Sequence, residues 1–210
     1  MKHAVFALIM LLGVSLGACK KKKISYTVEG IVTDASYSQP LSGATVQLYG
    51  TPAGSSTPSQ LIGTVTTGSD GKYSFTFDRD KTEQYVTIVS KSQYFEISDG
   101  FTAESLSTSA TNTRNVSTTA KSWVKLRFVN LMPEETDELK YIRQNGKSGC
   151  AECCYGGEQF LYGAVDTAIY CINDGNTTYS YYYWVLNSPN NGPKSIITQP
   201  FDTVELLLNY

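Results

Sequence analysis

Chemistry in this 210-residue chain would have to come from five cysteines, scattered carboxylates and an aromatic-rich C-terminal half, because its one histidine is His3. Four of the cysteines cluster as Cys150-x-x-Cys153-Cys154 and Cys171. Such a group can hold zinc through thiolates, present a nucleophilic thiolate, or close into two disulfides. The separation of the last cysteine from the adjacent pair fits no common zinc knuckle. A cysteine nucleophile has no histidine beside it to act as its base. Two disulfides are the best reading if the compartment is oxidising. A bridge between the neighbours Cys153 and Cys154 would force a strained eight-membered ring. The favoured pairings therefore join Cys171 to Cys153 or to Cys154, with Cys150 taking the other.

The first residues speak to the compartment. Met1-Lys2 leads into an apolar run over residues 4–14, then Leu16-Gly17-Ala18-Cys19 and four lysines, Lys20 to Lys23. The run is shorter than the roughly 20 residues that span a bilayer, and it ends in the small residues a signal peptidase accepts. Residues 1–18 read as a cleaved export signal. Leu16-Gly17-Ala18-Cys19 resembles the lipobox of bacterial lipoproteins. The resemblance implies that the Cys19 thiol carries diacylglycerol through a thioether and becomes the first mature residue. It also implies a place at the cell envelope, lipid-anchored to an outer membrane. Residues 19–25 then form a lysine-rich tether, either lying against anionic headgroups by its charge or serving as a solvated spacer. His3 leaves with the signal, so the mature chain lacks histidine, which excludes His-based triads, His general bases and His-ligated zinc or iron. Beyond the tether, 12 basic side chains face 19 acidic ones, an unfavourable balance for nucleic acid. No cofactor or metal is expected.

The mature chain is rich in Thr, Ser, Gly and Tyr and has no long segment of helical periodicity, so it reads as short strands joined by turns. Tyr26, Val28, Gly30 and Val32 alternate onto one face, and Ala44-Thr-Val46-Gln-Leu48 alternates again. Residues 50–59 form a Gly, Ser, Pro and Thr surface loop. Residues 61–67 and 72–77 flank Gly68-Ser69-Asp70-Gly71, whose Asp-Gly suits a hairpin turn. Tyr73, Phe75 and Phe77 fall on one face, fit to pack on a second sheet. Residues 84–91 and 94–98 complete the set.

Val28-x-Gly30-x-Val32, Pro40-Leu41-x-Gly43-Ala44-x-Val46-x-Leu48, Thr66-Thr67 to Asp70-Gly71-Lys72-Tyr73-x-Phe75, and Tyr85-Val86-x-Ile88 together resemble the carboxypeptidase regulatory-like domain. The match covers roughly residues 25–100 and departs at Gln84 and Gln93, where that family usually has glycine. The resemblance implies a transthyretin-like β-sandwich and an accessory module without catalytic residues, common in exported lipoproteins of Bacteroidetes-like bacteria.

Residues 103–119 read as a connector or a polar edge strand, and the boundary between residues 26–118 and 119–210 is placed there. The second part opens on the alternation of Val124, Leu126 and Phe128. Pro133-Glu-Glu-Thr-Asp-Glu then suits the first turn of a short helix ending near Ile142. Residues 160–172, 177–186, 194–199 and 203–208 read as strands of a second, Ig-like β-sandwich. Tyr179, Tyr181 and Tyr183 lie on one face of their strand, Tyr182 and Trp184 on the other. One face can bury while the other offers rings to a sugar, so Tyr181, Tyr182, Tyr183 and Trp184 are ligand-binding candidates. Asp78-Arg-Asp80-Lys-Thr82-Glu83 spaces oxygens as calcium loops do but lacks their glycine and distal glutamate, and is better read as a solvated loop. Asp166-Thr167-Ala168 and Asp202-Thr203-Val204 resemble the O-glycosylation sequon of Bacteroidetes exported proteins.

The sequence thus points to an all-β, membrane-anchored, non-enzymatic envelope lipoprotein of two β-sandwich modules, with an envelope protein or a glycan as its partner. The alternative is a glycan-binding accessory lipoprotein of a polysaccharide-uptake system. A more distant one is a carboxylate-based glycoside hydrolase, for which Glu152, Glu158 and Asp166 are scattered candidates.

Overall fold

The computed structural model describes residues 24–54 and 59–210; the export segment, Cys19, the lysine run and part of the 50–59 loop lie outside the described residues. The first module holds β1 (Ser25–Asp34), β2 (Gln39–Pro40), β3 (Thr45–Pro52), β4 (Gln60–Thr66), β5 (Lys72–Asp78), β6 (Thr82–Ser90), β7 (Ile97–Thr102), β8 (Asn112–Thr113) and β9 (Val116–Thr118). One sheet runs β4-β3-β6-β7. The other is built on β1, which pairs antiparallel with β5 and β2 and parallel with β8 and β9. Alternation sends Val28 and Val32 of β1, Val46 and Leu48 of β3, Tyr73 and Phe75 of β5, and Tyr85 and Val89 of β6 into one core between the sheets.

Two sequence expectations change here. Asp70-Gly71 does not close a hairpin, since β4 pairs with β3 and β5 with β1. The turn is an arch that carries the chain from one sheet to the other. Gly71, at φ +69°, supplies the left-handed residue the arch needs, and a Cβ there would lie 2.6 Å from the Val32 carbonyl oxygen. The strand expected at residues 94–98 lies later, at β7, because Gln93 at φ +63° turns the chain first. Gln93 is thus a left-handed position held by a non-glycine residue.

Within the 103–119 segment, residues 112–118 form an edge along β1, after a 3-10 turn at Ala103–Ser105. At its centre Arg114 and Asn115 bulge between β8 and β9. Asn115 Oδ1 accepts the Ile31 N–H at 3.0 Å in place of a backbone carbonyl. The Arg114 carbonyl accepts the Tyr73 hydroxyl at 2.6 Å and packs against Gly30, where a Cβ would stand 1.8 Å from that oxygen. Gly30 is therefore fixed by close backbone approach. The Arg114 guanidinium reaches across to Asp99 of the opposite sheet in a two-pronged contact at 2.6 and 2.9 Å, with the Phe101 ring 4.4 Å beneath it.

The second module holds β10 (Lys121–Val129), β11 (Glu138–Asn145), β12 (Glu158–Tyr162), β13 (Asp166–Asp174), β14 (Thr178–Val185), β15 (Asn191–Ile197) and β16 (Thr203–Asn209). Sheet β13-β10-β16 faces sheet β12-β11-β14-β15 across a core of Val124, Leu126, Phe128, Leu139, Tyr141, Tyr179, Tyr181, Leu206 and Leu208. The helix expected from Pro133 to Ile142 is absent. Asp137 instead closes a turn, its carboxylate accepting the Glu134 N–H at 2.9 Å and the Asn130 amide at 2.7 Å. Leu139 and Tyr141 then enter the core with period two. Residues 160–172 are two strands of different sheets, separated by a turn through Gly163.

The modules meet end to end with Thr119 and Ala120 between them. Phe95 N–H donates to the Thr119 carbonyl, Ala120 N–H to the Ser36 hydroxyl, and Gly175 N–H to the Ala120 carbonyl. Lys121 N–H donates to the Gln93 carbonyl, and the Asn176 amide to the Ser36 carbonyl. The connection is therefore tied by backbone bonds from both sides. Tyr94 of the first module meets Phe201 of the second at 5.4 Å, and Lys147 lies 4.1 Å over the Phe95 ring. Among the described residues no helix is long and apolar enough to cross a membrane.

Candidate binding face

Strand β14 decides which tyrosines a ligand could touch. Tyr179, Tyr181 and Tyr183 are buried, with Tyr181 at 5.6 to 6.5 Å from Phe128, Tyr141 and Tyr183. Tyr181 and Tyr183 are therefore core residues, turned away from any ligand on the outer face. Burial pushes the Tyr179 phenol up to about 12 and the Tyr181 phenol higher still. Tyr182 and Trp184 occupy the outer face with rings 4.6 Å apart, but both are half-buried. The Lys140 ammonium sits 4.6 Å over the Trp184 ring and pairs with Glu158 at 3.0 Å, while the Tyr182 hydroxyl donates to Asn191 Oδ1 at 2.8 Å.

Within this sheet the exposed rings are on its edge strand, β12. Phe160 and Tyr162 are 41% and 66% exposed, their rings parallel within 13° and 6.4 Å apart. Register places Phe160 and Trp184 on either side of Lys140, and Tyr162 opposite Glu138. One face thus carries four rings, Lys140 and the carboxylates of Glu138 and Glu158. Sequence reasoning missed Phe160 and Tyr162 because it ran β12 and β13 together. The signal was present in Glu158-Gln-Phe160-Leu-Tyr162, an alternation with Leu161 turned inward.

The four clustered cysteines form Cys150–Cys153 and Cys154–Cys171, one of the two favoured pairings. The second bridge ties the 145–157 loop to β13. The Arg143 guanidinium also holds that loop through the Lys147 and Cys154 carbonyls. Lys147 bonds Asp174, and Glu152 pairs with Lys121, so the loop braces the junction between modules.

The scattered carboxylates do not converge. Glu158 faces outward from one sheet, Asp166 from the opposite sheet where it pairs with Arg127, and Glu152 lies in the cysteine loop. Asp80 accepts its neighbour's N–H from Lys81, and no group of side chains among the described residues is arranged to hold a metal ion. Thr167 is half-buried within β13, whereas Thr203 is exposed at the start of β16.

No family model matches the sequence, and no curated protein matches it. Among solved structures, the shaft pilin SpaA of Lactobacillus rhamnosus GG is similar at 10% identity over 89% of this chain and 97% of that one, with a TM-score of 0.35. The Bacillus anthracis TIE protein is similar at 11% identity over 89% of this chain and 34% of that one, at 0.39. A streptococcal ancillary pilin is similar at 15% identity over 90% and 63%, at 0.34. At these scores the likeness assigns no function, and the architecture stands on the sheets themselves.

Proposed function

We propose that the chain is a lipid-anchored, non-enzymatic protein of the cell envelope that holds a binding face away from a membrane on two locked β-sandwiches, the first of carboxypeptidase regulatory-like type. The observation that supports it most is the junction, where both modules hydrogen-bond the two connecting residues. β1 leaves the tether at Ser25 and reaches the junction at Asp34, and β10 departs from the junction toward the far tip. A connection tied in this way fixes the second module relative to the first and suits display. Replacing Cys19 with Ser should move the protein from the detergent phase to the soluble fraction. Continued partition of that variant with membranes would defeat the anchor, and turnover of any peptide or glycan by purified protein would defeat the non-enzymatic reading.

A second reading, glycan binding by the displayed face, is favoured by the exposed, parallel rings of Phe160 and Tyr162. Retention of the protein on an immobilised polysaccharide tests it.

A further inference from the structure

We infer that the Phe160–Tyr162 ring pair is a stacking site for neutral glycan chains. This rests on the glycan reading just given and narrows it by charge. The two rings are parallel within 13° on the edge strand β12, so a ligand can reach them from the face and from the side of the sheet. Apolar C–H faces of sugar rings pack on such surfaces, and their hydroxyls then need acceptors nearby. Two carboxylates supply them. Glu138 stands opposite Tyr162 in register, and Glu158 precedes Phe160 by two residues on the same face. Lys140 is the one cation among them, and it is already engaged by Glu158 at 3.0 Å and by the Trp184 ring. The face is therefore net negative. It can accept hydroxyl hydrogen bonds but opposes uronate, sulfate or phosphate groups.

The test is affinity electrophoresis of the full chain in gels containing mixed-linkage β-glucan, galactomannan or arabinoxylan as neutral probes, and polygalacturonate or chondroitin sulfate as acidic ones. Retardation by at least one neutral probe and by neither acidic probe is expected. Phe160→Ala and Tyr162→Ala should each weaken binding about fivefold to tenfold. Tyr170→Ala, which removes an exposed ring from β13 of the opposite sheet, should leave it unchanged. Glu138→Gln with Glu158→Gln should admit an acidic probe. Thermal melts matching the parent exclude misfolding, which the exposure of both rings makes unimportant. Equal or stronger retardation by acidic probes overturns the neutral assignment while the glycan reading stands. Neutral binding that survives loss of both rings overturns the site. Absence of retardation by all five probes overturns the glycan reading itself.

Discussion

Removing the Cys154–Cys171 bridge should cost the second module much of its stability while leaving the first intact. The bridge joins residues 17 apart in sequence, and closing a loop of that size in the unfolded chain contributes about 3 kcal/mol. The Cys150–Cys153 bridge spans only three residues, for which the same relation gives about 2 kcal/mol. Cys171 is buried in the core, so Cys154→Ala with Cys171→Ala adds a small packing loss to the entropic one. The loop itself stays placed through Arg143 and Lys147, which limits the damage to the module that carries it. Both tryptophans, Trp123 and Trp184, belong to the second module, so their fluorescence during urea unfolding reports that module alone. For a module of this size about 3 kcal/mol moves the midpoint down by roughly 1 to 3 M urea. The reasoning fails if Cys150→Ala with Cys153→Ala lowers the midpoint further than the Cys154 and Cys171 pair does. It fails equally if the first module's circular dichroism transition moves with the tryptophan signal.

Gly30→Ala should cost about 2 to 4 kcal/mol, because its Cβ would have to displace the Arg114 carbonyl and with it the Tyr73 bond and the Asp99 contact; an unchanged melting temperature would show that the edge segment yields freely. Alkaline pH should loosen both cores. Burial raises the Tyr73 and Tyr179 phenols to about 12 in the folded chain, above their ordinary value near 10. The stability they contribute is therefore complete below about pH 10 and is lost as pH rises through about 12. Phenolate absorbance followed alongside circular dichroism checks this, and ionisation of all tyrosines near pH 10 without loss of sheet signal would contradict it.

Alternation was the legible part of this fold. Val28 with Val32, Val46 with Leu48, and Val124 with Leu126 and Phe128 marked core faces because a strand's period of two needs no tertiary information. Partner choice was not legible. Asp70-Gly71 announces a left-handed residue equally well in a hairpin and in an arch, and only the pairing of β5 with β1 decides between them. The carboxylates after Pro133 imitate a helix start until Asp137 is seen closing a turn. On β14 the two-face split of the tyrosines was readable, but which face buries depends on the opposing sheet. The strongest candidate rings, Phe160 and Tyr162, were hidden by a missed break at Gly163, one residue beyond the strand that carries them.

The parallel pairing of β1 with β8 and β9 gives the first module a mechanical character. A pull between the N-terminal end and the second module enters at Ser25, at one end of β1, and leaves through Thr118, at the other end of its parallel neighbour. The hydrogen bonds between these strands, with those from the Arg114 N–H to the Glu29 carbonyl and from the Ile31 N–H to Asn115 Oδ1, then lie across the line of force and must yield together rather than one after another. In the second module β10 and β16 run parallel from junction to tip over seven matched residues and offer the same resistance to shear. Resistance of this kind is set by an unfolding rate, not by an equilibrium stability. A protein held at one end and loaded at the other would keep both sandwiches closed under a tension that would unzip an antiparallel hairpin of equal length.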